Sequence, residues 1–321
     1  MSDALTPTTP LIFSGHETFA LRSTWLKKAF DLLMETPALF FQDDSFVRLG
    51  VGKNMAQSIR YWGRVCGIFE RAPDESRHFI TDLGRKLLSD DGWDPFLTTP
   101  AASWLLHWRI AAHSEAAFTW YYTFNLLKGG EFTIDGLAQQ IRGYIRARNL
   151  REPSDMTLKR DIACMLDCYA LALSDARQAA AGRQPGKNRM LHEGEDVLLC
   201  PLTRLGLVQE MPGQRGSYYL VSGEQESLPD ALVAYAILSM LQVLGRQTIA
   251  FSDLAYAPRS PGRIFRLEED ALLRRLHRLD EITGGRAYYT DQAGIRQVAW
   301  LNVNEPGLAD ILLEQAFSNE L

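Results

Sequence analysis

The sequence predicts a mainly helical α+β protein with small β-hairpins, built from tandem winged helix-turn-helix-like domains. Three observations predict this fold. Segments with helical periodicity alternate with short strand pairs. An order of helix, capped helix, helix and hairpin occurs three times, at intervals much longer than those of solenoid repeats. Finally, residues 47–70 read as a tight turn, a basic amphipathic helix and a strand. We place the domain boundaries at 11–92, 93–225 and 226–321, with a second winged-helix-like unit inside the helical central domain.

The first domain opens with a predicted helix from about Phe19 through Met34. Ser14 or Thr18 is its expected cap, because a side-chain oxygen there can accept from the free backbone N–H groups of the first turn. The segment 40–48 is expected to form the first short helix of the helix-turn-helix.

His16 and Glu17 are adjacent residues that raise the question of a metal site. The zinc-protease pattern H-E-x-x-H is absent, because position 20 is Ala. We therefore interpret the pair as a local hydrogen-bonded unit that fixes the entry of the chain into the first helix.

The stretch 47–70 carries the strongest functional signal. Its apolar residues recur at three- and four-residue steps, which predicts one buried helical face: Met55, Ile59, Trp62, Val65 and Cys66. Its polar residues share the opposite face: Lys53, Asn54, Gln57, Arg60 and Arg64. Gly67 is expected to end the helix. Residues 50–54 also resemble part of a phosphate loop, but Val47 and Asn54 occupy positions where that motif requires Gly and Ser or Thr.

A hairpin is expected to follow as the wing, with strands at 68–69 and 77–80. Thr81 or Asp82 then caps a closing helix at 83–88. Arg77 and His78 are candidates to lie against a phosphate backbone. The candidate DNA-binding set is therefore Lys53, Asn54, Gln57, Arg60, Arg64, Arg77 and His78.

The remaining chain repeats the same order of elements. Residues 101–128 are aromatic and predict two helical pieces broken near Ser114, which we interpret as core. In the central unit we expect one helix capped within 132–135 and ending at Arg146, and a second capped by Ser154 or Asp155 and spanning 156–173. Strands are then expected at 200–208 and 217–221. In the last unit we expect helices at 229–244, near 252 and at 267–279, a turn at 261–262, and strands at 286–290 and 297–301.

The overall charge weighs against a protein covered in basic groups. The formal net charge is −5 and the pI is about 5.7, so any surface that binds nucleic acid must be local. Two further basic concentrations flank the candidate units, and they are Arg142, Arg146, Arg148, Arg151, Lys159 and Arg160 in one and Arg183, Lys187 and Arg189 in the other.

Four cysteines are spread along the chain. Cys164 and Cys168 share one helical face, and with Cys200 they leave two interpretations open. We favour buried core thiols; the alternative is a metal or iron–sulfur cluster. With no signal-peptide pattern at residues 1–10 and no spanning apolar run, we expect reduced thiols and a cytoplasmic location.

Five segments resemble a known bacterial family, the domain of unknown function numbered 4007. These segments are FSGHETFALRSTWLKK (13–28), VRLGVGKNMAQSIRYW (47–62), DPFLTTPAASWLLHWRI (94–110), TLKRDIACMLDCY (157–169) and CPLTRLGLV (200–208). The resemblance implies a genomic setting beside phosphoadenosine-phosphosulfate-reductase-like proteins, in operons linked to DNA phosphorothioation and phage defence. It implies no catalytic residues.

Together these observations predict a non-enzymatic DNA-binding accessory protein of a bacterial DNA-modification or phage-defence system. No serine-nucleophile elbow, zinc-deaminase pattern or nuclease-like carboxylate cluster occurs. We expect no catalytic residue, cofactor, metal or membrane association. Double-stranded DNA is the expected partner, with sulfur-transfer or other defence proteins as further partners. The alternatives are a protein-only scaffold and a sulfur-transfer accessory component with a cysteine-bound cluster.

Overall fold

The computed structural model describes residues 11–170 and 200–318. The first unit contains α1 (Ser23–Glu35), a 3-10 turn (Leu39–Phe41), α2 (Ser45–Arg48), α3 (Lys53–Val65), β1 (Phe69–Arg71), β2 (His78–Ile80) and α4 (Asp82–Leu88). The expected order of helices, hairpin and closing helix is confirmed. So is the Thr81 cap, whose hydroxyl oxygen accepts from the Gly84 N–H.

The beginning of the first unit differs from expectation. α1 starts at Ser23 and has no side-chain cap, so the prediction of a helix from Phe19 capped by Ser14 or Thr18 is wrong. Ser14, Glu17 and Thr18 all have positive φ angles, between 49° and 65°, which cannot continue into a right-handed helix. The expected helix at 40–48 is also wrong, because the chain breaks there into the 3-10 turn and the four-residue α2.

The central unit begins with two aromatic helical pieces, α5 (Pro100–Ala111) and α6 (Phe118–Tyr121), the latter continuing as a π-helical turn at Tyr122–Leu126. It continues with β3 (Glu131–Thr133), α7 (Ile134–Ala147), α8 (Asp155–Tyr169), a 3-10 turn (Pro201–Leu205), β4 (Val208–Glu210) and β5 (Ser217–Leu220). The helical break near Ser114 and the core position of α5 are confirmed. Every α5 residue except Pro100 and Arg109 is buried. The expected continuation of α8 to residue 173 lies outside the described residues.

The last unit contains α9 (Asp230–Leu244), β6 (Thr248–Ala250), α10 (Phe251–Tyr256), α11 (Pro261–Ile264), α12 (Glu269–His277), α13 (Leu279–Thr283), β7 (Ala287–Gln292), β8 (Ile295–Trp300) and α14 (Leu308–Ser318). The expected helices and hairpin are present with shifted ends. The turn expected at 261–262 is the start of α11, where Ser260 accepts from the Arg263 N–H.

The central and last units share one sheet topology. In each, a short strand precedes the helices and then pairs with the second strand of the hairpin, giving the orders β3-β5-β4 and β6-β8-β7. All pairings are antiparallel. In the first unit the described residues form a two-stranded sheet of β1 and β2. Mainly helical architecture with small antiparallel sheets is therefore the fold class.

A continuous hydrophobic core joins the units. Trp62, Trp104, Trp120 and Trp300 are among its largest fully buried side chains. In the described part of the chain, no helix has the length and apolar character needed to cross a bilayer.

Candidate nucleic-acid interface

Helix α3 has one buried face and one exposed polar face, as its periodicity predicts. Ile59 and Trp62 are completely buried, and the Trp62 indole N–H donates to the carbonyl oxygen of Phe19 at 3.0 Å. On the other face, Lys53, Asn54, Gln57 and Arg64 are exposed and Arg60 is half-buried. The core contacts of Trp62 thus fix the rotation of α3 and determine which side chains face solvent.

The back of α3 is held by a buried polar network that includes His16. The His16 Nε2 lies 2.8 Å from Asp161 Oδ1, and the Thr18 backbone N–H donates to Nδ1 at 3.1 Å. Because Nδ1 accepts, the proton sits on Nε2, which donates to the carboxylate. The His16 ring also packs against Trp62 with their centroids 6.2 Å apart. Our interpretation of His16 and Glu17 as a local pair is therefore wrong: His16 joins the first unit to α8.

Three arginines lie close together at the open end of α3. Arg60 and Arg64 come from α3, and Arg71 comes from β1, where its guanidinium carbon is 5.2 Å from the centroid of the Phe41 ring. Burial lowers the pKa of Arg60, and the neighbouring Arg64 and Arg71 lower it further. We call Arg60, Arg64 and Arg71 the arginine cluster. Neighbouring like charges repel one another, so an anion placed among the three arginines is stabilised.

Few carboxylates offset the charge of the arginine cluster. Within the described residues, neither Arg60 nor Arg64 has a carboxylate within 4 Å. Arg71 has one long contact, 3.5 Å to the Glu75 carboxylate, between two exposed side chains. Ion pairs of that kind contribute little. The cluster therefore retains most of its positive charge for an external partner.

The wing residues Arg77 and His78 differ in their accessibility. Arg77 is exposed, with the Asp74 carboxylate 3.9 Å away. His78 is 2% exposed and packs among the rings of Phe40, Phe41 and Phe69. This burial corrects the expectation that His78 lies against a phosphate backbone.

His78 is nevertheless part of the electrostatic surroundings of the arginine cluster. Burial and, to a smaller extent, the charges of Arg60, Arg64 and Arg71 together lower its pKa to about 4. Its Nδ1 has no hydrogen-bond partner among the described residues. At neutral pH His78 is therefore uncharged and adds no positive charge to the arginine cluster.

Lys53 and Asn54 extend the exposed face at the start of α3. Gly50, with a φ angle of 62°, makes the left-handed turn that separates α2 from α3. The Lys53 ammonium nitrogen lies 5.2 Å from the centroid of the Phe46 ring, an arrangement that leaves the charge open to solvent.

The second basic concentration differs in part from the arginine cluster, because local carboxylates among the described residues pair with three of its six members, Arg142, Arg146 and Lys159. Arg142 contacts Asp155 at 2.8 Å, Arg146 contacts Glu152 at 2.7 Å, and Lys159 contacts both Asp135 and Asp155. The third concentration, Arg183, Lys187 and Arg189, lies outside the described residues.

All four cysteines are buried free thiols. The Cys200 thiol donates to the carbonyl oxygen of Cys168 at 3.3 Å. Burial raises the pKa of Cys168 and Cys200 well above the usual range, so both thiols are protonated at neutral pH. Across residues 11–170 and 200–318, no group of three or more His, Cys, Asp or Glu side chains is arranged to hold a metal ion.

The chain is thus a mainly helical α+β protein in which a helix and a neighbouring strand present an arginine cluster with few carboxylates beside it. The chain belongs to the family described as "Protein of unknown function (DUF4007)", which it matches over residues 13–317.

Two solved structures are similar to the chain over nearly its whole length. The first, "SspB crystal structure", has 29% sequence identity and a TM-score of 0.79, and the match covers 94% of this chain and 87% of that one. The second, "Magnesium ion-bound SspB crystal structure", has 29% identity and a TM-score of 0.77, with 96% of each chain covered. A search of curated proteins found no significant match.

Proposed function

We propose that this protein is a non-enzymatic DNA-binding accessory protein of a bacterial DNA-modification or phage-defence system. The observation that carries the proposal is the arginine cluster, which is formed by the polar face of α3 and the neighbouring strand β1. A rigid face of this kind suits the phosphates of duplex DNA, because each contact releases condensed counterions. Lys53, Asn54, Gln57 and Arg77 extend the proposed DNA-binding face.

The order of elements supports a winged-helix interpretation of this face. We propose that α3 acts as the recognition helix and the β1–β2 hairpin as the wing, which is the arrangement in which such modules contact a groove and the adjacent backbone. The shared topology of the two three-stranded units supports the same interpretation for the central and last units.

The proposed system rests on family membership and on the similarity to SspB over nearly the whole chain. The family resemblance implies operons linked to DNA phosphorothioation. We therefore propose that other defence-system proteins in the cytoplasm are the further partners of this chain.

The proposed binding is tested with alanine variants in a duplex-binding assay. Fluorescence anisotropy of a labelled plain duplex at low salt is measured for the wild type, Lys53→Ala, Arg60→Ala and Arg64→Ala. A variant that loses a phosphate contact is expected to bind about tenfold more weakly, which corresponds to about 1.4 kcal/mol. Arg146→Ala is the matched control, because Arg146 is also an exposed helical arginine but is paired with Glu152. Equal losses in Arg146→Ala and Arg60→Ala would contradict the proposed face.

The non-enzymatic part of the proposal needs a separate assay. Supercoiled plasmid is incubated with the protein, with and without Mg²⁺, because one of the similar structures is described as magnesium ion-bound. The plasmid is expected to stay supercoiled. Nicked or linear product that increases with time and protein concentration would show that the protein is an enzyme.

A protein-only scaffold is the second candidate function, and exposed apolar side chains favour it. Val243 at the end of α9 and Leu301 after β8 are 70% and 61% exposed. The neighbouring residues Gln242 and Val303 are joined by a hydrogen bond of 2.7 Å. Absence of duplex binding by the folded protein at low salt would leave this apolar region as the better-supported interface.

A further inference from the structure

A pocket of about 380 Å³ opens beside the arginine cluster, between α3, β1 and the connection from α5 to α6. Its polar lining consists of Arg64, Arg71, Glu70, Glu115 and His113, and the Tyr61 ring forms part of its wall. The Tyr61 hydroxyl donates to the carbonyl oxygen of Ala116 at 2.8 Å, which holds the wall in place. The volume lies at the small end of the range of ligand pockets, so it suits one small molecule or one extruded group.

Several charges in this pocket lack local partners. In the part of the chain that the structure describes, Arg64, Glu70 and Glu115 make no ion pair within 4 Å. Cations and carboxylates therefore line one small cavity without neutralising each other directly. Such a lining is complementary to a ligand with one anionic end and one hydrogen-bond-donating end.

The larger cleft elsewhere in the molecule lacks this property. That cleft, about 1150 Å³, lies beside α9 and α12, and its arginines are already paired. Arg275 and Arg278 contact Asp230, and Arg274 contacts Glu224. Its arginines are thus already neutralised by carboxylates of this chain, and the smaller pocket is the better candidate for a ligand.

His113 adds a neutral donor to the smaller pocket. Burial lowers the pKa of His113, and nearby Arg109, Arg259 and Arg64 lower it further, although Glu115 opposes them. Its Nδ1 accepts from the Ala116 backbone N–H at 3.3 Å, which leaves the Nε2–H free to donate. A neutral N–H donor is suited to a phosphate oxygen or a base carbonyl.

We propose that this pocket binds a single unpaired deoxynucleotide whose base carries an exocyclic amino group. Arg64 and Arg71 hold the phosphate, Glu70 and Glu115 accept from the amino group, and the base lies against Tyr61. Cytosine, adenine and guanine have that amino group and thymine lacks it, so the pocket discriminates against thymidine nucleotides. This inference rests on the proposed function, since a nucleotide reaches the pocket from DNA docked on the arginine cluster, two of whose members line the pocket.

The test is isothermal titration of the full-length protein with dCMP and with dTMP as probes. dCMP is expected to bind at least about fivefold more tightly than dTMP. In Glu115→Gln and in Glu70→Gln that preference is expected to shrink to within about twofold, because an amide can offer a donor to the base in place of a carboxylate acceptor. Glu131→Gln, at an exposed carboxylate outside the pocket, is the control and is expected to keep the wild-type preference.

Three results would overturn the inference. They are no binding of dCMP by the wild type, equal affinity for dCMP and dTMP, and a preference for dCMP that survives in both glutamine variants. Glu70→Gln keeps the test decisive if Glu115→Gln fails to fold, because Glu70 is an exposed strand residue. Duplex binding by the wild type, measured in the same buffer, separates the two proposals. Duplex binding without dCMP binding removes only the pocket. dCMP binding without duplex binding removes the proposed DNA-binding face and leaves a pocket that takes free nucleotides.

Discussion

His107 is a buried histidine whose two ring nitrogens are both hydrogen-bonded. Nε2 donates to the carbonyl oxygen of Ile264 and Nδ1 accepts from the Tyr169 hydroxyl, each at 2.7 Å. Burial lowers its pKa to about 4, although the bond to Ile264 opposes the shift. The folded protein therefore holds His107 neutral at pH values where an unfolded chain would protonate it.

This pKa shift predicts a loss of stability in mild acid. An unfolded histidine titrates near pH 6.5, so between about pH 6.5 and pH 4 the unfolded state binds the proton more readily. The stabilisation is complete above pH 6.5 and disappears as the pH falls towards 4. From pH 7 to pH 5, His107 should account for about 2 kcal/mol of the lost free energy of unfolding. Urea unfolding at both pH values measures it, with His107→Gln as the comparison. An unchanged pH dependence in that variant would contradict the prediction.

The three cysteines Cys164, Cys168 and Cys200 are expected to act only as core residues. Replacing each with serine puts a more strongly polar group at a buried site, so each change should lower the free energy of unfolding by about 1–3 kcal/mol. Metal content and the visible absorption spectrum of anaerobically purified protein should not change. Stoichiometric iron or zinc that disappears in the triple variant would instead support the cysteine-bound cluster.

At the residue scale, sequence periodicity correctly predicted which residues of α3 are exposed. It did not predict that His78 of the hairpin is buried. Side chains alternate between the two faces of a strand, so Arg77 and His78 point to opposite sides and only one of them lies on the outer face. The sequence does not show which one. Arg71 was missed because it follows the helix pattern that drew attention to Arg60 and Arg64. Residues two apart on a strand share one face, so Arg71 lies on the same face as Phe69, whose ring packs against Gly63 of α3. That spacing was the signal that Arg71 lies beside α3.

At the scale of elements, α3 presents its polar face because its apolar face is anchored. Trp62 is completely buried and makes ring contacts with His16, Tyr61 and Trp120. Gly63 lies so close to Phe69 that a Cβ atom there would come within 2.0 Å of the ring. The helix is therefore fixed both in rotation and in its distance from the hairpin.

Truncating that anchor should destabilise the whole first unit. Trp62→Ala removes a large core side chain and leaves the Phe19 carbonyl without its indole donor, so the expected loss is about 3–5 kcal/mol. Gln57→Ala, on the exposed face of the same helix, should change stability by less than about 0.5 kcal/mol. Chemical denaturation of both variants gives the comparison. Similar small losses in the two would show that α3 is not anchored through Trp62.

The short strands β3 and β6 could not be predicted from the sequence. Each has three residues directly before a helix, and residues 132–135 read equally well as a helix cap. The capping chemistry itself was predictable: Thr133 and Ser154 accept from the Gly136 and Thr157 N–H groups. β3 and β6 form strands because they pair with β5 and β8, which lie 45 or more residues away in the sequence. The local sequence pattern therefore does not predict them.

At the scale of the whole molecule, a net acidic protein carries a local basic face. Asp and Glu exceed Lys and Arg by five. Arg142, Arg146 and Lys159 of the second basic concentration are paired with carboxylates, whereas Arg60 and Arg64 of the arginine cluster have no carboxylate within 4 Å among the described residues. The rest of the surface is net acidic, which disfavours non-specific binding of DNA outside the α3 face. Any duplex should therefore dock on the α3 face, and its binding should depend strongly on salt.

The proposed DNA-binding face is tested most directly by measuring the affinity for a plain duplex at several salt concentrations, by fluorescence anisotropy. Five cations, Lys53, Arg60, Arg64, Arg71 and Arg77, lie on or beside the proposed face. If they neutralise phosphates, the plot of log affinity against log salt should have a slope of roughly −4 to −5, reduced by about one unit in Arg60→Ala. No binding by the folded protein at low salt, or binding that is independent of salt, would contradict the central claim.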